Sequence, residues 1–287
     1  MKTFLDCIPC FVRQALNSAR LVSPDPAVHE KIIRELLRWT SKIDMTQSPP
    51  AMGQRIHRRL REITGVKDPY RAAKDHQNRL ARDLLPEMKA KVESSSDPLT
   101  AAVSLAIAGN AIDNGVNSDL LDSSLRKSIR RALTIPLIGD RSKFFQDVHR
   151  AEHILYLTDN AGEIVFDGLL IEKLEPAHVT VAVRGAPVIN DATLADARKL
   201  GLQEIVEIMD NGSDAPGTLL DDCSEKFKQR FMEADLILAK GQGNFETLSE
   251  DPRPIVFLFQ AKCPVIATHA QVPLGTHVIT RSRFGKA

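Results

Sequence analysis

The chain changes character near residue 150, and that change limits the folds open to it. Before it, apolar residues recur at helical spacing and strand signal is almost absent. After it, short β-rich runs at 154–157, 179–183, 204–209, 236–239, 256–257 and 265–267 alternate with helical segments at 163–174, 192–200 and 221–233, with a turn after Asn244. Strands and helices alternating at this spacing imply right-handed βαβ units and a parallel sheet. The expected fold class is α/β: a helical N-terminal domain over 1–140, then a doubly wound α/β domain over 141–287.

The first half reads as a series of helices. One over 2–22 carries Cys7-x-x-Cys10, with Pro9 in its first turns, where proline is tolerated. A second follows Pro24 and Pro26, with Val28, Ile32, Ile33, Leu36, Leu37 and Trp39 at helical spacing, and Pro49-Pro50 ends it. The segment 52–64 is amphipathic. Ile56, Leu60 and Ile63 face inward, and Arg55, Arg58, Arg59 and Arg61 read as a solvated face, because aromatics are absent and Glu62 interrupts the run. Helices are also expected over 71–92, 118–133 and 143–150. The stretch 99–112 is so apolar that it should be buried nearly all round. Asn110 and Asp113 therefore stand in an apolar setting and need partners, either a hydrogen bond in the core or a polar cleft.

Charge and composition remove several function classes. A formal net charge of +1 gives no bulk attraction to nucleic acid or to a membrane surface. The first residues lack the apolar core of a signal peptide, and no stretch approaches the ~18 apolar residues of a membrane span. The expected location is the cytoplasm. Four cysteines, Cys7, Cys10, Cys223 and Cys263, are too few for a disulfide scaffold and are expected as thiols or metal ligands.

Chemistry concentrates after the strands. The run 154–157 stops at Thr158-Asp159-Asn160, and Ala161-Gly162 turns the chain into a helix that opens with Glu163. In open α/β sheets, ligands bind beyond the carboxyl ends of the strands. A carboxylate beside a carboxamide offers hard oxygen ligands suited to Mg²⁺ or Mn²⁺; alternatively, Asp159 caps the helix. Later strands end similarly: Arg184 to Asp191 after the second, Asp210 to Thr218 after the third, Lys240-Gly241-Gln242-Gly243-Asn244 after the fourth, and Gln260 to Cys263 with Lys262 after the fifth. In a parallel sheet these loops share one edge. Capping alone does not explain lysines and a Gly-x-Gly loop on the same rim, so a site is expected there. Gly241-x-Gly243 lacks the third glycine and the strand-turn-helix context of a dinucleotide loop. No Walker A loop, nucleophile elbow or His-Glu-x-x-His helix occurs.

The motifs D-N-A-G-E at 159–163, R-G-x-P-x-x-N-D-x-T at 184–193, S-D-x-P-G-T at 213–218 and K-G-x-G-N at 240–244 resemble those of the damage-control metabolite phosphatases. Cys7-x-x-Cys10, Pro49-Pro50, Asp68-Pro69-Tyr70 and Gly109-Asn110-x-x-Asp113 are similar to the short prokaryotic branch with an N-terminal cysteine pair. The resemblance runs over nearly the whole chain in the same order. It implies a helical domain on a Rossmann-like three-layer core with a mainly parallel sheet. It also implies hydrolysis of small phosphorylated metabolites, such as sugar phosphates or phosphopantetheine-like esters, with Mn²⁺, Co²⁺, Ni²⁺ or Mg²⁺.

Carried over by position, Asp159, Asn160 and Asp191 would be the metal ligands. Lys262 and the Gly241, Gln242, Gly243 and Asn244 loop would face the phosphate, with Lys240 at its entrance and Arg184 and Asn110 nearby. Asp159 is the expected catalytic centre, and Glu163 or Asp113 could serve as base. Cys7 and Cys10, together with Cys263, could hold a second, softer metal, although a fourth ligand is not evident; the alternative is that they are packing cysteines. Two other readings stay open at this point: an S-adenosylmethionine-dependent carboxyl methyltransferase, as one eukaryotic relative has been described, and a non-catalytic metal- or metabolite-binding protein.

Overall fold

The structure is a computed structural model, and it describes residues 1–109, 126–127, 129–131 and 133–282. Asn110 and Asp113 lie outside the described residues, as does most of the helix expected over 118–133. Five helices come first: α1 (Cys7–Val22), α2 (Pro26–Thr40), α3 (Pro49–Thr64), α4 (Arg71–Glu93) and α5 (Pro98–Ala108). Prolines at the first turn start α2, α3 and α5, where the missing N–H would have no intrahelical partner anyway. Asp25 and Asp97 cap α2 and α5 by accepting from Ala27 N and Thr100 N.

The rest of the chain alternates as its sequence suggests. It runs β1 (Leu137–Ile138), α6 (Arg141–Arg150), β2 (Ile154–Leu157), α7 (Glu163–Ile171), β3 (Val179–Val183), α8 (Leu194–Lys199), β4 (Glu207–Asp210), α9 (Glu225–Glu233), β5 (Leu236–Lys240), α10 (Gly241–Leu248), β6 (Ile255–Gln260), α11 (Pro264–Ala270) and β7 (His277–Arg281). The seven strands of the described residues form one sheet in the order β1-β7-β6-β5-β2-β3-β4. β6, β5, β2, β3 and β4 are mutually parallel, β1 is parallel to β7, and among the strands of the described residues only the β6–β7 pairing is antiparallel. From β2 the chain steps outward to β3 and β4, then returns to lay β5 along the other side of β2. The carboxyl ends of β2 and β5 are thus the point where winding reverses, the position at which open α/β sheets bind ligands.

Alternate residues of each strand enter different cores, because successive side chains point to opposite faces. Ile154, Tyr156, Val181 and Leu238 join α4, α5, α7 and α8 in one cluster. Leu155, Leu157, Ile237 and Phe257 join Phe227 and Phe231 of α9 and Phe245 of α10 in another. Each such large side chain, taken fully out of water, contributes roughly 1.5–3 kcal/mol. α1, α2 and α3 have their own cluster around Phe11, Leu36, Ile56 and Leu60. Among the described residues no helix is long and apolar enough to cross a membrane.

Several expectations are corrected. Residues 265–267 are helical, within α11, because Pro264 occupies a helix first turn and three apolar residues do not distinguish strand from helix. The segment 204–209 divides into the end of a 3₁₀ turn and the start of β4. The turn after Asn244 is the middle of helix α10, which starts directly from β5. The arginines of α3 are not simply solvated. Arg58 Nε donates to Asp214 (2.9 Å), Arg61 pairs with Asp214 and donates to the carbonyl of Pro187 (2.9 Å), and Gln54 donates to Asp214 and Asp222. These bonds seat α3 on the loops that follow β3 and β4.

Candidate active site

The site begins with a piece of ladder outside the named strands. Asn160 and Asp191 form an isolated antiparallel bridge. Ala192 N donates to Asp159 O and Ala161 N to Asn190 O, both at 2.8 Å. These bonds fix the segment leaving β2 against the loop leaving β3. Asp159 does not cap α7: the cap position is Gly162, at φ 75° and without a side-chain cap bond. Asn78 on α4 holds that turn by accepting from Gly162 N (2.6 Å). The carboxylates of Asp159 and Asp191 are thereby brought to one place, and both residues are buried.

Arg184, at the end of β3, reaches across them. Its Nε donates to Asp191 Oδ2 at 2.6 Å, and its Nη2 lies 3.9 Å from Asp159 Oδ1. Nη2 is buried with no hydrogen-bond partner among the described residues. Nη1 is within 3.3–3.4 Å of Asn244 Oδ1 and Thr218 Oγ1. Asn244 is itself internal, donating to the carbonyls of Thr158 (3.1 Å) and Lys240 (2.7 Å), so it ties α10 to the end of β2.

Lys240 is placed differently from the expectation that it stands at the phosphate entrance. The register of β5 turns it inward, and it is fully buried. Its Nζ donates to Glu163 Oε1 (2.8 Å), Asp167 Oδ1 (2.6 Å) and the carbonyl of Ala106 (2.6 Å). Burial alone would lower its pKa; the Asp167 and Glu163 carboxylates reverse the sign and hold it above the ordinary lysine value. Burial raises both Glu163 and Asp167, with Lys240 opposing. Tyr156 donates to Asp167 Oδ1 (2.7 Å), and burial beside that carboxylate keeps its phenol protonated. Glu163, expected as a base, has both carboxylate oxygens engaged and no solvent exposure: Oε2 accepts from Asn160 Nδ2 (3.1 Å).

The remaining predicted residues scatter around this centre. Gly241 lies directly against Asp159, and Gly243 lies against Pro216. Half-buried Gln242 donates to Glu246 Oε1 (2.9 Å). Lys262 is exposed, with its backbone N–H 3.4 Å from Gln242 Oε1. Cys7 and Cys10 are not disulfide-bonded. Among the described residues no three His, Cys, Asp or Glu side chains form a metal-holding group, around the cysteines or elsewhere. A cation held between Asp159 and Asp191 would therefore need the Asn160 amide as its third protein ligand. Two residues here were given no role from sequence. Burial pushes the Glu246 carboxyl up to about 7, with the Asp159 charge adding and Gln242 opposing. Asp167 could have been found, since it stands four residues after Glu163 in an otherwise apolar helix.

Fold and site together define a mixed α/β protein with a buried acidic pair, an arginine and a strand-to-helix glycine converging where the winding of its sheet reverses. The damage-control phosphatase ARMT1-like domain matches residues 3–278 of the chain, and the chain belongs to that family. It is 35% identical over 292 residues to a damage-control phosphatase of Pyrococcus horikoshii, covering 99% of each chain. It is 36% identical over 278 residues to a damage-control phosphatase of Archaeoglobus fulgidus, covering 95% of this chain and 96% of that one. The crystal structure of a DUF89 family protein from Pyrococcus horikoshii matches with a TM-score of 0.89 at 34% identity, over 99% of this chain and 100% of that one.

Proposed function

We propose that this chain is a divalent-cation-dependent phosphatase of small phosphorylated metabolites, sugar phosphates or phosphopantetheine-like esters. The observation that carries the reading is the bridge pairing Asn160 with Asp191, which sets Asp159, Asn160 and Asp191 together beneath Arg184. These donors fit a hard cation. Two are carboxylates, and Asn160 has its Nδ2 turned to Asp159 and Glu163, which leaves Oδ1 as its ligating atom. Mn²⁺, Co²⁺, Ni²⁺ or Mg²⁺ would be held there. When bound, such an ion neutralises phosphate charge and makes a coordinated water more acidic.

The chain's own groups supply the rest. Arg184 Nη2, buried without a hydrogen-bond partner among the described residues, would take a phosphoryl oxygen and stabilise the charge that builds during hydrolysis. The first amides of α10, which begins at Gly241 beside Asp159, have no intrahelical acceptor and would favour an anion. Lys262 on the rim would attract the phosphate ester from solution.

Phosphate release from a panel of sugar phosphates and 4′-phosphopantetheine tests this. Chelator-treated protein should be inactive and recover with Mn²⁺ or Co²⁺. Asp159→Asn should lose at least ~100-fold in turnover while keeping its fold. Full release after chelation, or wild-type turnover in Asp159→Asn, would reject the assignment.

A further inference from the structure

We infer that Lys240 and Glu163 are positioning residues that fix which end of the Asn160 amide faces the cation, so that Lys240 serves the site from inside the core rather than by touching substrate. The inference rests on the cation reading above and concerns how its amide ligand is held.

The geometry is a chain of obligatory donors and acceptors. An ammonium can only donate, and all three Lys240 protons are accounted for, on Glu163 Oε1 (2.8 Å), Asp167 Oδ1 (2.6 Å) and Ala106 O (2.6 Å). A carboxylate can only accept, so the far oxygen of Glu163, Oε2, requires a donor. Asn160 Nδ2 supplies it at 3.1 Å and gives its other proton to Asp159 Oδ2 at 2.8 Å. Both neighbours of Nδ2 are carboxylates. The nitrogen end of the amide is therefore set by chemistry, and Oδ1 must point the other way.

The components have little freedom to rearrange. Lys240 and Glu163 are wholly buried. Glu163 opens α7 against the end of α5, so closely that a β-carbon on Gly109 would come within 2.7 Å of its Cα. The backbone on either side of Asn160 is pinned to the neighbours of Asp191. A glutamine at 163 cannot replace the glutamate. With its oxygen toward Lys240 it presents N–H to Asn160 and turns that amide over; with its oxygen toward Asn160 it sets N–H against the ammonium. Groups that orient metal ligands typically change metal affinity ~10–100-fold when removed.

The experiment measures Mn²⁺ binding by calorimetry on the chelator-stripped full chain, independently of turnover. Glu163→Gln should weaken Mn²⁺ at least ~10-fold. On an Asn160→Ala background the same change should cost no more than about twofold, because the amide it orients is gone. Asp167→Asn disturbs the same buried cluster without touching Asn160 and should stay within about threefold of wild type. Losses from Glu163→Gln and Asn160→Ala that simply add, or an Asp167→Asn loss as large as that of Glu163→Gln, would overturn the inference. If Glu163→Gln does not fold, Glu163→Met with Lys240→Met takes its place. There Asp167 keeps Tyr156 as donor, and wild-type Mn²⁺ affinity would overturn the inference equally. Asp159→Ala separates the two levels. If it leaves Mn²⁺ binding unchanged, the cation reading and this inference both fail; if it abolishes binding while Glu163→Gln has no effect, only this inference fails.

Discussion

Gly241 and the carboxylate of Asp159 occupy adjoining space so fully that a β-carbon on Gly241 would overlap both carboxylate oxygens. The backbone there has φ 79°, in the left-handed region that favours glycine. β5 thus passes into α10 with its first helical residue seated against the acidic centre. Gly241→Ala must push Asp159 aside or straighten the turn. Displacing a reacting group by about 1 Å commonly costs on the order of 100-fold in rate, and the strained φ about 1–2 kcal/mol of stability. Turnover should therefore fall far more than the urea midpoint does. Wild-type turnover in Gly241→Ala would show that Asp159 tolerates displacement and does not sit at the reaction centre.

The fold was legible where burial is two-sided. The runs at 154–157 and 179–183 are strands over those same residues, because central parallel strands read as unbroken β-rich apolar segments. β1, of two residues, and β7, which pairs antiparallel with β6, carry no such signature and escaped detection. At the site, strand-end polarity located the rim but could not say which way each side chain turns. Lys240 is the last residue of β5 and Arg184 the first after β3, yet Lys240 enters the core beside Asp167 and Arg184 bridges the acidic pair. That difference follows from residue parity in the strand and from what the opposite layer offers, neither of which a strand end displays in sequence. The partnering of α3 arginines with Asp214 was hidden for a related reason: an amphipathic helix does not reveal that its polar face meets acidic loops.

Two buried histidines set an acid limit on the fold. Burial pushes His57 and His277 down to about 4, while an unfolded histidine titrates near ~6.5. Between those values the unfolded chain binds more protons than the folded one, so stability is complete above about 6.5 and is lost as pH falls toward 4. Each histidine contributes at most about 3 kcal/mol. Asp214 and Asp222 act lower. Burial would raise them, but hydrogen bonds from Arg58 and Gln54, with Ser213 for Asp222, hold them below the usual carboxylate range, so their contribution is lost only under about pH 4. Urea midpoints at pH 7.5 and 4.5 should differ clearly in the wild type and less in His57→Leu and His277→Leu. Equal midpoints for the wild type at the two pH values would contradict this.

A further buried charge pair, between Lys74 and Asp196, connects the helical layer to both halves of the site. Lys74 Nζ donates to Asp196 Oδ2 at 3.0 Å, with neither side chain exposed, and pairs also with Asp68 at 3.1 Å. Asp196 Oδ2 also accepts from Thr193 N and Oγ1, closing the capping box of α8 just beyond Asp191. Its Oδ1 accepts from Asn78, whose own oxygen holds Gly162 N. One carboxylate therefore governs the turn after Asp191 and, through Asn78, the turn after Asn160. Removing the cation alone strands a buried anion, so Lys74→Met should cost about 3–5 kcal/mol in urea denaturation. Lys74→Met combined with Asp196→Asn removes both charges and should cost less than the two single changes added together. Additive losses would mean that the two side chains do not act as a pair, and that α4 is held to these turns by Asn78 and apolar contacts instead.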